Sequence, residues 1–245
     1  MEALSKAKSK LVQNLSKKKF RDQNARFIVE GKKLVQEALD YNSEIVDFLV
    51  QTPENAFANS KVTRFLTNQK DFQSLSSLVT PDGILAVCHK PSPKLQIEKY
   101  NKIIAINSLN DPGNLGTIIR TADWFAADAI ILGPGSVDCF NSKVVQATMG
   151  SIFRVPVIYV EDFDSFIQDI KHAQFQTIGL SLQASTHVPT KKQSKLALVL
   201  GSESHGLSPK TQALLDINYK IAGNPAVESL NLSIAAAIAM HQFFN

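Results

Sequence analysis

The stretch KIIAINSLNDPGNLGTIIRTADWFAADAIIL, residues 102–132, opens on an almost continuously apolar run and passes through a turn shaped by Pro112, Gly113 and Gly116. It then takes on helical spacing from about Leu115 to Phe125 and closes on a second apolar run, AIIL. Short runs apolar on every residue, separated by a helical pattern, read as strand, helix, strand, with both faces of the strands covered. The alternation continues toward the C-terminus: a helix near Lys143–Ile152, PVIYV at 156–160, and a helix from about Asp164 to His172. TIGLS at 177–181 and LALVLG at 196–201 follow, then a helix opened by Ser208 and Pro209, YKIA at 219–222, and a closing helix to Phe244. Ser208 suits an N-cap, and proline at the first helical position gives up a donor that has no partner there anyway. The expectation for residues 100–245 is an α/β domain built on a parallel sheet with helices on both faces.

Upstream, KPSPK at 90–94 is the natural break. Pro91 and Pro93 remove backbone donors and hold their neighbours extended, which puts a linker at about 90–100. Residues 1–95 read as a separate small α/β domain. Its helical pattern runs through Phe27, Val29, Leu34, Val35 and Ala38, with apolar runs at Ile45–Val50 and Gly83–His89. The second of these, GILAVCH, is apolar enough for a strand buried on both faces.

Composition narrows the class. At 245 residues, with 44% hydrophobic and 20% charged residues, the chain has the make-up of an ordinary globular protein and can bury a sizeable core. No apolar run approaches the roughly 18–20 residues of a spanning helix; Leu232–Phe244 is short and carries His241 and Gln242. The N-terminus, MEALSKAKSKLVQNLSKKKFR, has no apolar block, so no secretory signal is read and a cytoplasmic location is expected. Cys88 and Cys139 have no ligand-like spacing, so neither a zinc site nor a disulfide framework is expected, and no metal site is read elsewhere. Net charge is +4, yet residues 1–22 alone carry seven Lys or Arg against Glu2 and Asp22, a local excess of +5. Such an arm fits nucleic-acid phosphates and fits a solvated helix face equally well.

In a parallel sheet, ligands gather beyond the carboxyl ends of the strands. Three loops there are unusual. After IIAIN, Asn114 and Arg120 lie six residues apart across a helix start, where helix N–H groups and an arginine fork suit an anionic oxygen; an Asn cap and a surface Arg would look the same. After LALVLG, Gly201 and Gly206 bracket Glu203 and allow close backbone approach. After YKIA, a Gly-Asn-Pro loop leads to Glu228, Ser229 and Asn231 ahead of an Ala-rich helix. Ser202 through Gly206, with Asp216 and His241 beyond, loosely follows hydrolase order, but the turn opens no helix directly as a nucleophile elbow would. GPGSVD at Gly133 lacks the third glycine of a dinucleotide fingerprint.

Taken together, NDPGNLGTIIRTAD, LVLGSESHGLS and VESLNLSIAAAIA resemble, in order and spacing, the three motifs of the SpoU or TrmH group of SPOUT RNA methyltransferases. The segment FRDQNARFIVEGKKLVQEAL resembles the ribosomal-protein-L30e-like substrate-binding domain often fused to them. The resemblance implies transfer of a methyl group from S-adenosylmethionine to a ribose 2′-hydroxyl, in ribosomal more than in transfer RNA. It also implies a SPOUT domain with a deep C-terminal trefoil knot, and a homodimer with RNA as partner. Asn114, Arg120, Glu203, Ser229 and Asn231 fall on the catalytic positions. Leu180, Gly201, Ile221 and Leu230 fall on positions lining the methyl donor's pocket. The chain departs from the pattern at Ala222, where proline is usual, and at GNPA. The alternative is a non-catalytic RNA-binding protein of the same fold.

Overall fold

The computed structural model describes residues 2–55, 62–186 and 193–244. The chain divides into two compact units. One joins Met1–Ser92 to Asp138–Arg154, and the other joins Pro93–Val137 to Val155–Asn245.

The first unit runs β1 (Glu2–Ala3), α1 (Lys6–Asn14), α2 (Lys18–Asn24), β2 (Arg26–Glu30), α3 (Lys32–Asn42), β3 (Val46–Gln51), β4 (Thr63–Leu66), α4 (Gln69–Leu75) and β5 (Ile84–His89). The five strands form one sheet in the order β1-β4-β3-β5-β2, with β5 antiparallel to both neighbours. All of β5 but His89 is buried, as the apolar run required. One expectation is corrected here. Phe27 and Val29 are not helical; they lie in β2 opposite Cys88 and Ala86. Their spacing of two is a strand period, and RFIVE is rich in aromatic and β-branched residues, which pack well on a pleated surface. The helix holding Leu34, Val35 and Ala38 begins only after Gly31, whose φ of 96° an L side chain would strain. Beneath the sheet, Val12, Leu15, Phe48, Val50, Phe65, Phe72, Leu85 and Val87 form the core.

Asp138–Arg154 falls within the range expected for the second domain and is built into this first unit. Arg21, 3% exposed, donates from Nε and Nη2 to Asp138 at 2.9 and 2.8 Å and from Nη1 to the carbonyls of Leu15 and Ser16. Phe140 lays its ring against Phe27, centroids 4.6 Å apart, and the Gln146 amide donates to the Glu30 carbonyl.

The second unit carries β6 (Lys102–Ile106), α5 (Pro112–Trp124) and β7 (Ala129–Leu132). After α6 (Ser142–Thr148), which belongs to the first unit, come β8 (Val157–Tyr159), α7 (Phe163–His172), β9 (Gln176–Ser185), β10 (Leu196–Leu200), α8 (Pro209–Leu214), β11 (Ile217–Tyr219) and α9 (Leu232–Phe244). Its six strands are all parallel, in the order β11-β9-β10-β6-β7-β8. β10, LALVL, is buried on every residue between β9 and β6. Ser208 caps α8 through the Thr211 N–H, with Pro209 first in the helix. The strand expected at YKIA lies earlier, at Ile217–Tyr219. Asp216 fixes that point by accepting from the Thr177 N–H and hydroxyl at 2.9 and 2.8 Å, so the chain joins the sheet edge at once and leaves it before Lys220. From β6 the chain moves to β7 on one side, while β10 lies on the other, so the switch point of the sheet falls between β6 and β10.

Candidate active site

Crevices at such a switch point, beyond the strand carboxyl ends, are where open α/β sheets take ligands. The loops after β6 and β10 emerge side by side there, joined by the Asn107 N–H donating to the Leu200 carbonyl at 2.9 Å. Asp111 caps α5 by accepting from the Asn114 N–H at 2.7 Å, ahead of Pro112 at the first helical turn. That capping roots Asn114 with its side chain turned inward and 9% exposed.

Glu203, in the tight loop after β10, reaches across to this helix start. Its carboxylate accepts from the N–H groups of Asn110 and Asp111 at 3.4 and 3.2 Å and from the Asn114 amide at 3.3 Å. The Asn114 carbonyl oxygen accepts in turn from the Asn231 amide at 2.9 Å. Asn231 caps α9, its own carbonyl oxygen accepting from the Ser233 N–H and hydroxyl at 2.9 and 2.6 Å. A single chain of hydrogen bonds thus ties together three segments separated by 89 and 117 positions. Glu203 only accepts, while Asn114 and Asn231 each donate one way and accept the other, so both amides have one permitted orientation.

The other expected residues take different places. Arg120 stands exposed on α5 and makes no ion pair among the described residues, and Ser229 is exposed and outside the network. Gly201 directly follows the end of β10, and Leu180 lies within the neighbouring β9, next to Gly179, which pairs with Val199. Gly201 permits its loop: a Cβ there would lie 1.9 Å from the Gly206 carbonyl carbon, because Ser202 and Gly206 exchange backbone hydrogen bonds across the turn. Ile221 is half-buried and Leu230 46% exposed, in the segment linking β11 to α9. Bare backbone at strand ends with apolar side chains beside it fits a methyl donor that combines a flat ring with polar edges. Among the described residues no cluster of three His, Cys, Asp or Glu could hold a metal.

The hydrolase arrangement is not assembled. Ser202 accepts the His205 N–H within its own turn, and Asp216 spends its carboxylate on Thr177 and on Lys171 at 2.9 Å. Burial raises the Asp216 pKa, but the Thr177 N–H and hydroxyl and the Lys171 ammonium outweigh that and hold it below the usual carboxylate value. Sequence reasoning missed two contributors, Asp111 and Ser233. Asp followed by Pro at a helix start is a capping signal that names the first. Ser233 has no comparable signature. Ser108, at φ 61°, turns the chain out of β6 toward this loop.

Comparison with known proteins identifies the family and the fold. The SpoU rRNA Methylase family matches residues 101–241, and the MRM3-like substrate binding domain matches residues 6–86. A Bacillus subtilis protein named 23S rRNA (guanosine(2553)-2′-O)-methyltransferase RlmP is 32% identical over 98% of this chain and 98% of its own length. A TrmH-family structure from Porphyromonas gingivalis superposes with TM-score 0.87 at 32% identity, covering 98% of both chains. An AdoMet-bound rRNA methyltransferase from Sinorhizobium meliloti gives TM-score 0.84 at 26% identity, covering 99% of this chain and 95% of that one.

Proposed function

Since the chain belongs to the SpoU rRNA methylase family, we propose that it is an S-adenosylmethionine-dependent methyltransferase acting on a ribose 2′-hydroxyl of ribosomal RNA. The observation that carries this reading is the Asn114–Glu203–Asn231 chain, which sets the three motif loops against one another at the switch point. S-adenosylmethionine supplies a methyl group on a positive sulfur, transferred in line to the ribose oxygen.

Everything else falls to the protein's residues. Leu180, Gly201, Ile221 and Leu230 hold the donor, the apolar side chains against its ring and the strand-end backbone against its polar edge. Arg120, exposed and without an acidic partner among the described residues, grips an RNA phosphate with its fork and polarises the neighbouring 2′-hydroxyl. A guanidinium is a poor base, so the proton leaves to water or to the phosphate as the oxygen attacks. Asn114, Glu203 and Asn231 fix the loop from which α5 starts and thereby the position of Arg120, and Ser229 contacts the ribose. Orientation of this kind supplies much of the rate in a displacement that needs no covalent intermediate.

The active form is a homodimer. α5 and α9, packed on each other, leave Trp124 84%, Ile234 50% and Ile238 39% exposed, an apolar face of the sort that a second subunit covers. A deep trefoil knot in the C-terminal segment is part of this proposal, supported by a chain that leaves β10 for β11 beyond β9 and then returns as α9 against β10 and α5. The protein works in the cytoplasm, and none of its described helices is long and apolar enough to cross a membrane. Purified protein incubated with S-adenosylmethionine carrying a labelled methyl should transfer label to unmodified ribosomal RNA and little to transfer RNA. No donor binding at all, with no transfer to either RNA, would point instead to a non-catalytic RNA-binding protein of the same fold.

A further inference from the structure

The first unit contains a cavity of about 250 Å³ that none of these roles uses. Its apolar walls come from Leu15, Ile28, Leu75 and Phe140, and its polar lining is dominated by serines. The volume lies below the roughly 300–1,000 Å³ of sites for drug-sized ligands, so it has room for one flat ring and not for a whole cofactor.

The polar lining has a definite character. Glu30, 3% exposed, is wrapped by donors: Oε1 accepts from the Ser77 N–H and hydroxyl at 3.1 and 2.6 Å, and Oε2 from the Ser76 hydroxyl and the Ser77 N–H. Its charge is therefore spent inside the protein. Ser16 donates its hydroxyl proton to the Gln13 carbonyl and Ser74 to the Asp71 carbonyl, each at 2.7 Å. Four of the five lining serines, 16, 74, 76 and 77, have committed their protons to internal acceptors, leaving Ser142 as the fifth. A hydroxyl whose proton is committed can only accept, so the cavity asks its occupant for donors.

The approach is basic. Lys6, Lys10 and Gln13 share one face of α1, being four and then three residues apart, and Lys17 follows Ser16 in the next turn. All three lysines are exposed and have no acidic partner among the described residues. They form a row of positive charge ending at Gln13 and Ser16, which line the cavity.

We propose that this cavity receives one unpaired base of the RNA substrate, with the backbone phosphates following the lysines of α1, and that it favours bases with an exocyclic amine over uracil. The identity of the ligand as RNA rests on the methyltransferase reading above. Unpaired bases splayed from RNA are commonly read by stacking and by hydrogen bonds to their edges, and this cavity offers both.

The test is fluorescence anisotropy of the full-length protein with labelled pentaribonucleotides of A, C and U. Wild type should bind the A and C oligomers about fivefold tighter than U, the worth of about one hydrogen bond from the exocyclic amine. Ser142→Phe, which fills the cavity, should abolish the difference, and Ser74→Ala, on an exposed helix position, should reduce it. Lys10→Ala should weaken all three equally, as loss of a phosphate contact does. Unchanged S-adenosylmethionine affinity in each variant shows that the fold survives. A preference that persists in Ser142→Phe, equal affinity for all three oligomers, or no binding would each overturn the cavity's role. Methylation of ribosomal RNA by the same wild-type preparation reports separately on the underlying reading.

Discussion

Two carboxylates, Glu203 in the second unit and Glu30 in the first, are each held by three hydrogen-bond donors and do different work. Glu30 accepts from two adjacent residues, Ser76 and Ser77, and closes one corner of a small domain around a cavity. Glu203 accepts from the loop after β6 and, through Asn114, is joined to the cap of α9, so that it ties three distant segments. A carboxylate serving one neighbouring turn contributes to local stability and shape. One that joins three loops at a switch point sets the geometry of everything those loops carry, including Arg120. Effects on stability should therefore dominate in the first unit, and effects on turnover in the second.

The sharpest break in the first unit is Arg21→Ala. It leaves Asp138 buried without its partner, and removing one member of such a pair costs about 3–5 kcal/mol. Denaturant unfolding followed by circular dichroism should show that loss, and a cost under 1 kcal/mol would mean that Asp138–Arg154 is held by packing alone. Because this segment depends on Arg21 and Phe27, truncating the first 95 residues would strip it of its support, and point substitutions separate the two units' roles more cleanly.

The direct comparison is Glu203→Ala beside Glu30→Ala. The first should lower methyl transfer by about 10²-fold, as losing a preorganising group does, with a small change in melting temperature. The second should cost about 1–3 kcal/mol through the donors it leaves unpaired, while kcat stays near wild type. Equal effects on kcat would erase the distinction between them.

The smallest effect concerns acid. The Asp216 pKa is lowered in the folded protein against the pull of burial, so its bonds to Thr177 and Lys171 add stability that is complete above the ordinary carboxylate value near 4 and is lost as pH falls through the lower folded value. Asp216→Asn should flatten that part of the pH–stability curve. An unchanged curve between about pH 5 and pH 2 would show that other carboxylates control it.

The two units also differ in how far their sequences disclose them. The parallel sheet is legible because its central strands β6, β7 and β10 are nearly continuous apolar runs and its helix starts carry caps, as at Ser208-Pro209. The antiparallel pairing of β2 with β5 is not, because RFIVE is too short to distinguish a period of two from the helix that follows Gly31. In the site, Asn114, Glu203 and Asn231 stand out by type and position. Their mutual bonding, like the pairing of Arg21 with Asp138 across 117 positions, is set by the folded chain and leaves no local signature. The cavity beside Glu30 is likewise assembled from four separate segments, and its acceptor character follows only from where each serine proton points.

The central claim is that α5, locked by Glu203 and Asn231, presents Arg120 to a ribose hydroxyl. The most direct measurement is nucleoside analysis of ribosomal RNA methylated in vitro by wild type and by Arg120→Ala at equal S-adenosylmethionine occupancy. The predicted result is a 2′-O-methylated nucleoside from wild type that falls by at least about 10²-fold in the variant. Methyl groups on a base, or a variant that retains full ribose methylation, would contradict it.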